Sequence, residues 1–197
     1  MNYLLDCFYD WLFPVAWWTF VAYWMISALW VKKTKVIEPL LPRLVHFLAG
    51  ALALLILAFH ESLPAPMNWK LWPQNKLTFW TGAAVTLAGL GFAVWARIHL
   101  GKFWSGAITL KEGHRLIRSG PYQIVRNPIY TGILTGVTGT AIALGKVCGL
   151  AALAILLAVY SWKIRREERL LAGEFGEEYA AYRREVPALV PFMPGKS

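Results

Sequence analysis

Residues 129–162 read IYTGILTGVTGTAIALGKVCGLAALAILLAVYSW, and Lys146 is the single charged residue among them. Two apolar runs, Ile129 to Leu144 and Val147 to Trp162, meet at Gly145-Lys146. A connection that short joins two helices as an antiparallel hairpin. Gly132, Gly136 and Thr140 recur every four residues along the first run, with Gly139 beside them. That spacing lines small residues along one helix face, the pattern of close helix packing inside a membrane. Room for a lipid tail is a second reading of the same stripe.

Outward from the hairpin the chain keeps this character. Of 197 residues, 57% are hydrophobic and 16% charged, and the mean hydropathy is +0.46. A soluble domain of this length carries more charge. The chain has eleven Trp, a residue that collects at the membrane–water boundary. Three spans are expected upstream: residues 11–31, Leu44 to Phe59 after breaks at Pro39 and Pro42, and Leu77 to Ala96. About 20 residues at 1.5 Å each cross a hydrocarbon core of about 30 Å. The first span is not read as a signal peptide, since Asp6 and Asp10 precede it and no small-residue cleavage site follows. The expected fold class is all-α: a polytopic membrane helical bundle of about five transmembrane helices, a single domain over 1–197 with three spans in 1–96.

The net charge is +9, but the basic residues bunch beside apolar ends. Membrane lipids explain that better than nucleic acid, which is not an expected partner. With the N-terminus outside, 17 of the 20 Lys and Arg fall on the cytoplasmic side, and only Lys70, Lys76 and Lys146 fall outside. The positive-inside rule therefore places the C-terminus in the cytoplasm, and the small size suggests a prokaryotic inner membrane. Trp11, Trp30, Trp69, Trp72, Trp95, Trp104 and Trp162 read as interfacial anchors. Gly82, Gly89 and Gly91 read as a second packing stripe. Cys7 and Cys148 read as buried or interfacial thiols, and His46 and His60 show no metal-ligand spacing.

A polar insert, roughly His99 to Pro128, interrupts the spans and leads into GHRLIRSGPYQIVRNPIYTG at 113–132. Gly113, Gly120 and Pro121 set its backbone path, and Asn127-Pro128 turns the chain between Tyr122 and Tyr130. Polar backbone at membrane depth requires cover from protein or a cavity. The insert is thus either a ligand site or a structured linker. The charged tail after Lys163 shares its side of the membrane. In that tail Leu171, Phe175, Tyr179 and Tyr182 form one apolar stripe, packed on the protein or lying in the interface.

LGKFWSGAITLKEGHRLIRSGPYQIVRNPIYTG, followed downstream by EERLLAGEFGEEYAAYRREVPALVPF, resembles the isoprenylcysteine carboxyl methyltransferase family. The related phospholipid N-methyltransferases are similar over the same region, roughly residues 97 to 192. The resemblance implies an integral membrane enzyme that moves a methyl group from S-adenosylmethionine to a lipophilic acceptor. That acceptor is a prenylcysteine-like carboxylate or an amine-bearing lipid, entering from the bilayer. By the same resemblance His114, Leu116 and Ile117 line the cofactor, and Tyr122 contributes its ring. Asn127, Pro128 and Tyr130 form the turn that cups the cofactor, and Glu167 meets it from the end of the fifth span.

Lys163 and Arg126 are the candidates for the reacting centre. Lys163 stands where the family has a substrate-facing arginine, and Asn127 where the carboxyl methyltransferases usually carry His. Glu167 is also placed to pair with Arg126 or Arg165. Displacement of a methyl group from a sulfonium needs positioning more than acid–base help, which fits the lack of a Ser/His/Asp constellation. No metal is expected. Two other classes stay open: an NADPH-dependent oxidoreductase like the distantly similar membrane sterol reductases, and a non-catalytic lipid-binding protein. The oligomeric state stays open too.

Overall fold

The computed structural model describes residues 3–29, 40–101 and 116–192. Its helices are α1 (Tyr3–Ser27), α2 (Leu40–Ala58), the short α3 (Ala65–Asn68), α4 (Lys76–Leu100), α5 (Pro128–Leu144) and α6 (Val147–Glu185). Single 3-10 turns lie at His60–Ser62 and Gly120–Gln123. No strand occurs among the described residues, where an isolated bridge pairs Lys70 with Lys146. Three helices, α2, α4 and α6, are long and apolar enough to cross a membrane, and α5 is a shorter apolar helix. The all-helical membrane character expected from composition is therefore present.

Several boundaries differ from the sequence expectation. The first helix already runs from Tyr3 and ends at Ser27, with Pro14 inside it. The second begins at Leu40 with Pro42 in its first turn. A proline costs nothing there, because the first amides of a helix have no partner within it; Pro42 starts the helix rather than preceding it. The charged tail continues the helix of the fifth span as far as Phe175, and a further helical stretch follows Gly176 and runs to Glu185. Residues 163–171 are mostly good helix formers with no breaker, so the apolar-to-charged change passes without a stop. At Gly176, φ +49° and ψ −123° interrupt the helix, which kinks there. The stripe in that tail packs on the protein: Tyr179, Tyr182 and Val186 form a buried cluster with Leu116, Leu171 and Phe175 against it.

The glycine stripe of α5 meets α4 backbone to backbone. A Cβ on Gly132 would stand 2.6 Å from the Gly89 carbonyl oxygen, and one on Gly89 would stand 2.5 Å from the Gly136 nitrogen. Farther along, a Cβ on Gly82 would lie 2.5 Å from the Gly139 oxygen. Side chains cannot enter this seam, which leaves packing as the meaning of the stripe. A buried polar set crosses it: Thr86 Oγ1 donates to Gly136 O at 3.1 Å and lies 3.2 Å from Thr140 Oγ1. Trp17 of α1 donates its indole N–H to Thr140 Oγ1 at 3.1 Å. Gly91 does not belong to the seam, since open space surrounds its Cβ position. At the other end of α4, buried Arg97 donates to the carbonyls of Ser27 and Gly101, tying the end of α1 to the end of α4.

The α5–α6 turn is capped by the segment before α4. Gly145 is left-handed (φ +60°), its carbonyl accepts from Leu71 N at 2.7 Å, and Val147 N donates to Trp69 O at 3.1 Å. Trp72 and Gln74 side chains donate to the carbonyls of Ile142 and Leu144, both at 2.9 Å. Two of the last carbonyls of α5, which a helix leaves unpaired, thus find donors. Trp72, read from the sequence as an interfacial anchor, is a capping donor here. Lys146 is buried, with Nζ 2.7 Å from Glu61 Oε1 and 3.2 Å from His60 Nδ1. Cys148 is a free, buried thiol, and the Cys7 side chain lies outside the described residues.

Two outcomes are expected. Gly89→Ala should lower thermal stability in detergent by about 1–3 kcal/mol through overpacking, whereas Gly91→Ala should be neutral or slightly stabilising. Equal effects of the two would remove the seam. The hydrogen bond from Lys146 holds the Glu61 carboxyl below the usual carboxylate range. Its contribution is complete above the ordinary carboxylate pKa and is lost as pH falls through the lowered one. The difference in melting temperature between wild type and Glu61→Gln should therefore be constant near neutral pH and shrink only in acid.

Candidate functional site

The insert's end and the charged half of α6 come together, as a shared site requires. The start of α5 follows from local chemistry. Asn127 precedes the helix with non-helical angles, and Pro128 occupies its first position, where the missing N–H is no loss. Tyr130 then projects from the first turn toward α6. Its hydroxyl lies 2.9 and 3.1 Å from the two Glu167 carboxylate oxygens. Its ring lies 4.8 Å from that of Tyr160 and 5.5 Å from the ammonium of buried Lys163. Glu167, Lys163 and Tyr160 succeed one another at intervals of three or four residues, so one face of α6 presents all three.

Beside this contact runs a second one. Buried Arg126 places Nη2 2.9 Å and Nε 3.0 Å from Glu168 Oε1, with both side chains largely out of solvent (5% and 14% exposed). Its Nη1 donates to the carbonyls of Arg183, at 2.9 Å, and Val186. A pairing with Arg126, one of the alternatives for Glu167, is made by the neighbouring Glu168. Adjacent residues of a helix point about 100° apart, and it is Glu168 that faces Arg126 while Glu167 faces Tyr130. Asn127 Nδ2 donates to Ala188 O at 3.1 Å and lies 3.4 Å from Glu168 Oε1. The backbone after α6 completes the join: Arg126 N to Pro187 O (2.8 Å), Asn127 N to Ala188 O (3.1 Å) and Thr131 Oγ1 to Leu189 O (2.8 Å).

Tyr122 is buried in the 3-10 turn, and its ring stacks on His99 with centroids 6.4 Å apart. Burial pushes its phenol well above the ordinary value, with the Tyr182 phenol and Glu167 adding to the shift, so it stays a neutral hydroxyl. Leu116 and Ile117 are half-buried, and Leu116 packs against the Tyr179–Tyr182 cluster. His114 lies outside the described residues. Of the sequence candidates, Arg126, Asn127, Pro128, Tyr130, Lys163 and Glu167 converge, and Tyr122 sits within electrostatic reach of Glu167. Glu168, Tyr160, His99 as a ring partner and the 187–189 strap were not foreseen. Only Glu168 left a signal, as the second acid of the Glu167-Glu168 pair. No group of metal-ligating side chains occurs among the described residues.

Residues 77–178 match the family model described as phospholipid methyltransferase. Among curated relatives, protein-S-isoprenylcysteine O-methyltransferase B of Arabidopsis thaliana is 34% identical over 87 residues, covering 44% of each chain. The cobalt-zinc-cadmium resistance protein CzcN of Cupriavidus metallidurans is 34% identical over 116 residues, covering 57% of this chain and 53% of that one. The alignments thus span about half the length of these relatives. Among solved structures, a eukaryotic intramembrane Ras methyltransferase, isoprenylcysteine carboxyl methyltransferase, shares the fold. It has a TM-score of 0.59 at 22% identity, over 77% of this chain and 54% of that one.

Arg126→Met should destabilise the protein by about 3–5 kcal/mol, because it leaves the Glu168 charge buried without its partner. Adding Glu168→Leu should recover part of that loss. Denaturant unfolding in detergent reads both, and a single variant with wild-type stability would refute the clamp.

Proposed function

Because the chain belongs to the phospholipid methyltransferase family, we propose that it is an integral membrane methyltransferase acting on a lipophilic acceptor. The methyl donor in this reading is S-adenosylmethionine. Five helices cross the membrane, with α5, whose 17 residues extend about 25 Å, as the shortest. The insert and the tail lie on the cytoplasmic side, where 17 of 20 Lys and Arg would fall. The first three spans make a membrane support for the methyltransferase half, residues 97–192.

The observation that carries the reading is the cluster of Tyr130, Glu167 and Lys163 at the junction of α5 and α6. Its chemistry fits the donor. Glu167 is a carboxylate, an acceptor on both oxygens, and it already receives a hydroxyl, that of Tyr130. Such a group suits ribose hydroxyls or an amino group. The Tyr122 ring suits a cationic sulfur or a hydrophobic edge of the donor, while the Tyr130 ring already faces the Lys163 ammonium. When bound, S-adenosylmethionine supplies a methyl carbon already activated by that positive sulfur. Tyr122, Asn127, Pro128, Tyr130 and Glu167 would hold it, with His114, Leu116 and Ile117 from the insert.

Arg126 in this reading is a positioning residue, since Glu168 and two carbonyls take up its guanidinium. It fixes the turn that carries Asn127 and Tyr130. Lys163 brings a positive charge to the acceptor side. A lysine is a point charge without the planar fork of an arginine, so it favours an acidic acceptor without imposing bidentate geometry. The acceptor is then a prenylcysteine-like carboxylate or a related acidic lipophile; an amine-bearing lipid, which reacts as its neutral amine, gains no such pairing from Lys163. It reaches the site from the bilayer, in a prokaryotic inner membrane.

Calorimetry on the purified protein should show binding of S-adenosylhomocysteine and none of NADPH; the reverse would favour a reductase. Glu167→Ala should weaken S-adenosylhomocysteine by about 1–3 kcal/mol, the range for losing a charged hydrogen-bond partner. Unchanged affinity would remove Glu167 from the site.

A further inference from the structure

Past the bend at Gly176, the last turns of α6 lie along the insert. No atom stands within 4 Å of a Cβ at Gly176, so the positive φ rather than crowding favours glycine there. The bend sets Tyr182 against the 3-10 turn. Tyr182 is buried, and its hydroxyl donates to the Tyr122 carbonyl oxygen at 2.6 Å.

That carbonyl stands outside the turn's own hydrogen bonds. Those run from Tyr122 N to Ser119 O and from Ile124 and Val125 N to Pro121 O. The Tyr182 hydroxyl supplies the donor that a buried carbonyl needs. The opposite side of Tyr122 is held as well. His99 stacks on its ring and bonds Ser119 Oγ at 2.8 Å, while a Cβ on Gly120 (φ +60°) would stand 2.8 Å from the His99 ring.

We propose that Tyr182 is a positioning residue of the donor site: through the Tyr122 carbonyl it fixes the Tyr122 ring against the bound nucleoside. This rests on the reading of Tyr122 as a cofactor contact. The phenol acts on a backbone atom, so its removal leaves the ring's packing in place. The carbonyl must then turn to find another donor, and the Tyr122 ring turns with it. Arg118, whose guanidinium lies 5.2 Å from the Tyr182 ring centroid and pairs with Glu185, braces the same cluster without touching that carbonyl.

The test compares wild type, Tyr182→Phe and Arg118→Met in lipid nanodiscs, with S-adenosylhomocysteine titrated by calorimetry and amide exchange followed over residues 119–125. Loss of one buried neutral hydrogen bond should weaken binding by Tyr182→Phe about threefold to tenfold. Exchange at Tyr122 and Val125 should accelerate. KM for S-adenosylmethionine should rise, with kcat at saturating donor little changed. Arg118→Met should bind within about twofold of wild type, having kept that bond. Equal losses in the two variants would mean general loosening and overturn the proposal, as would unchanged affinity in Tyr182→Phe. Wild type that binds no S-adenosylhomocysteine would sink the functional reading and this inference with it. Wild-type binding that Tyr182→Phe leaves intact would sink the inference alone.

Discussion

One buried guanidinium holds together the end of the protein where the insert meets α6. Arg126 reaches the Glu168 carboxylate and the carbonyls of Arg183 and Val186, so a single side chain joins the insert, the middle of α6 and the end of α6. A charge in such a place is costly unless its partners are complete. Here the planar fork supplies donors in three directions, and a lysine could not match that geometry. The adjacent Asn127 extends the join to Ala188. Three elements distant in sequence are therefore fixed relative to Tyr130 and Glu167.

The clamp can be precise because α5 is itself immobilised along its length. The α4–α5 seam brings backbones so close that no side chain could stand between them. The Thr86–Thr140 pair, with Trp17, supplies polar contacts in a region where lipid offers none. At the far end, the strap from Trp69 to Gln74 closes the α5–α6 turn. Tyr130 thus sits on a helix held by its side and both ends, the condition under which a first-turn side chain keeps its position.

The sequence made some of this legible and concealed the rest for physical reasons. Apolar runs and the Gly132–Gly136–Thr140 spacing announce membrane helices and a packing seam because periodicity is a local property. The same rule misassigned Gly91, since two glycines two residues apart on a helix face different neighbours. The convergence of Tyr130 with Glu167 followed from family resemblance, not from spacing. Which of the adjacent glutamates meets Arg126 was not legible, because helix phase decides it, and that phase depends on where α6 begins. The strap carbonyls at 187–189 were invisible, because backbone groups carry no residue identity.

Positioning rather than proton transfer is what the proposed reading asks of this arrangement. The Tyr122 phenol is held neutral by burial, Glu167 already accepts a proton-bearing partner in Tyr130, and Asn127 cannot change charge near neutral pH. A transfer whose electrophile arrives preactivated needs a rigid cradle, an acceptor for hydroxyls and amines, and a cation for an acidic partner. In the proposed reading Tyr130, Glu167 and Lys163 would fill those three requirements within one contact between two helices. The rigidity of the seam and the clamp is therefore the part of the fold on which such chemistry would depend most.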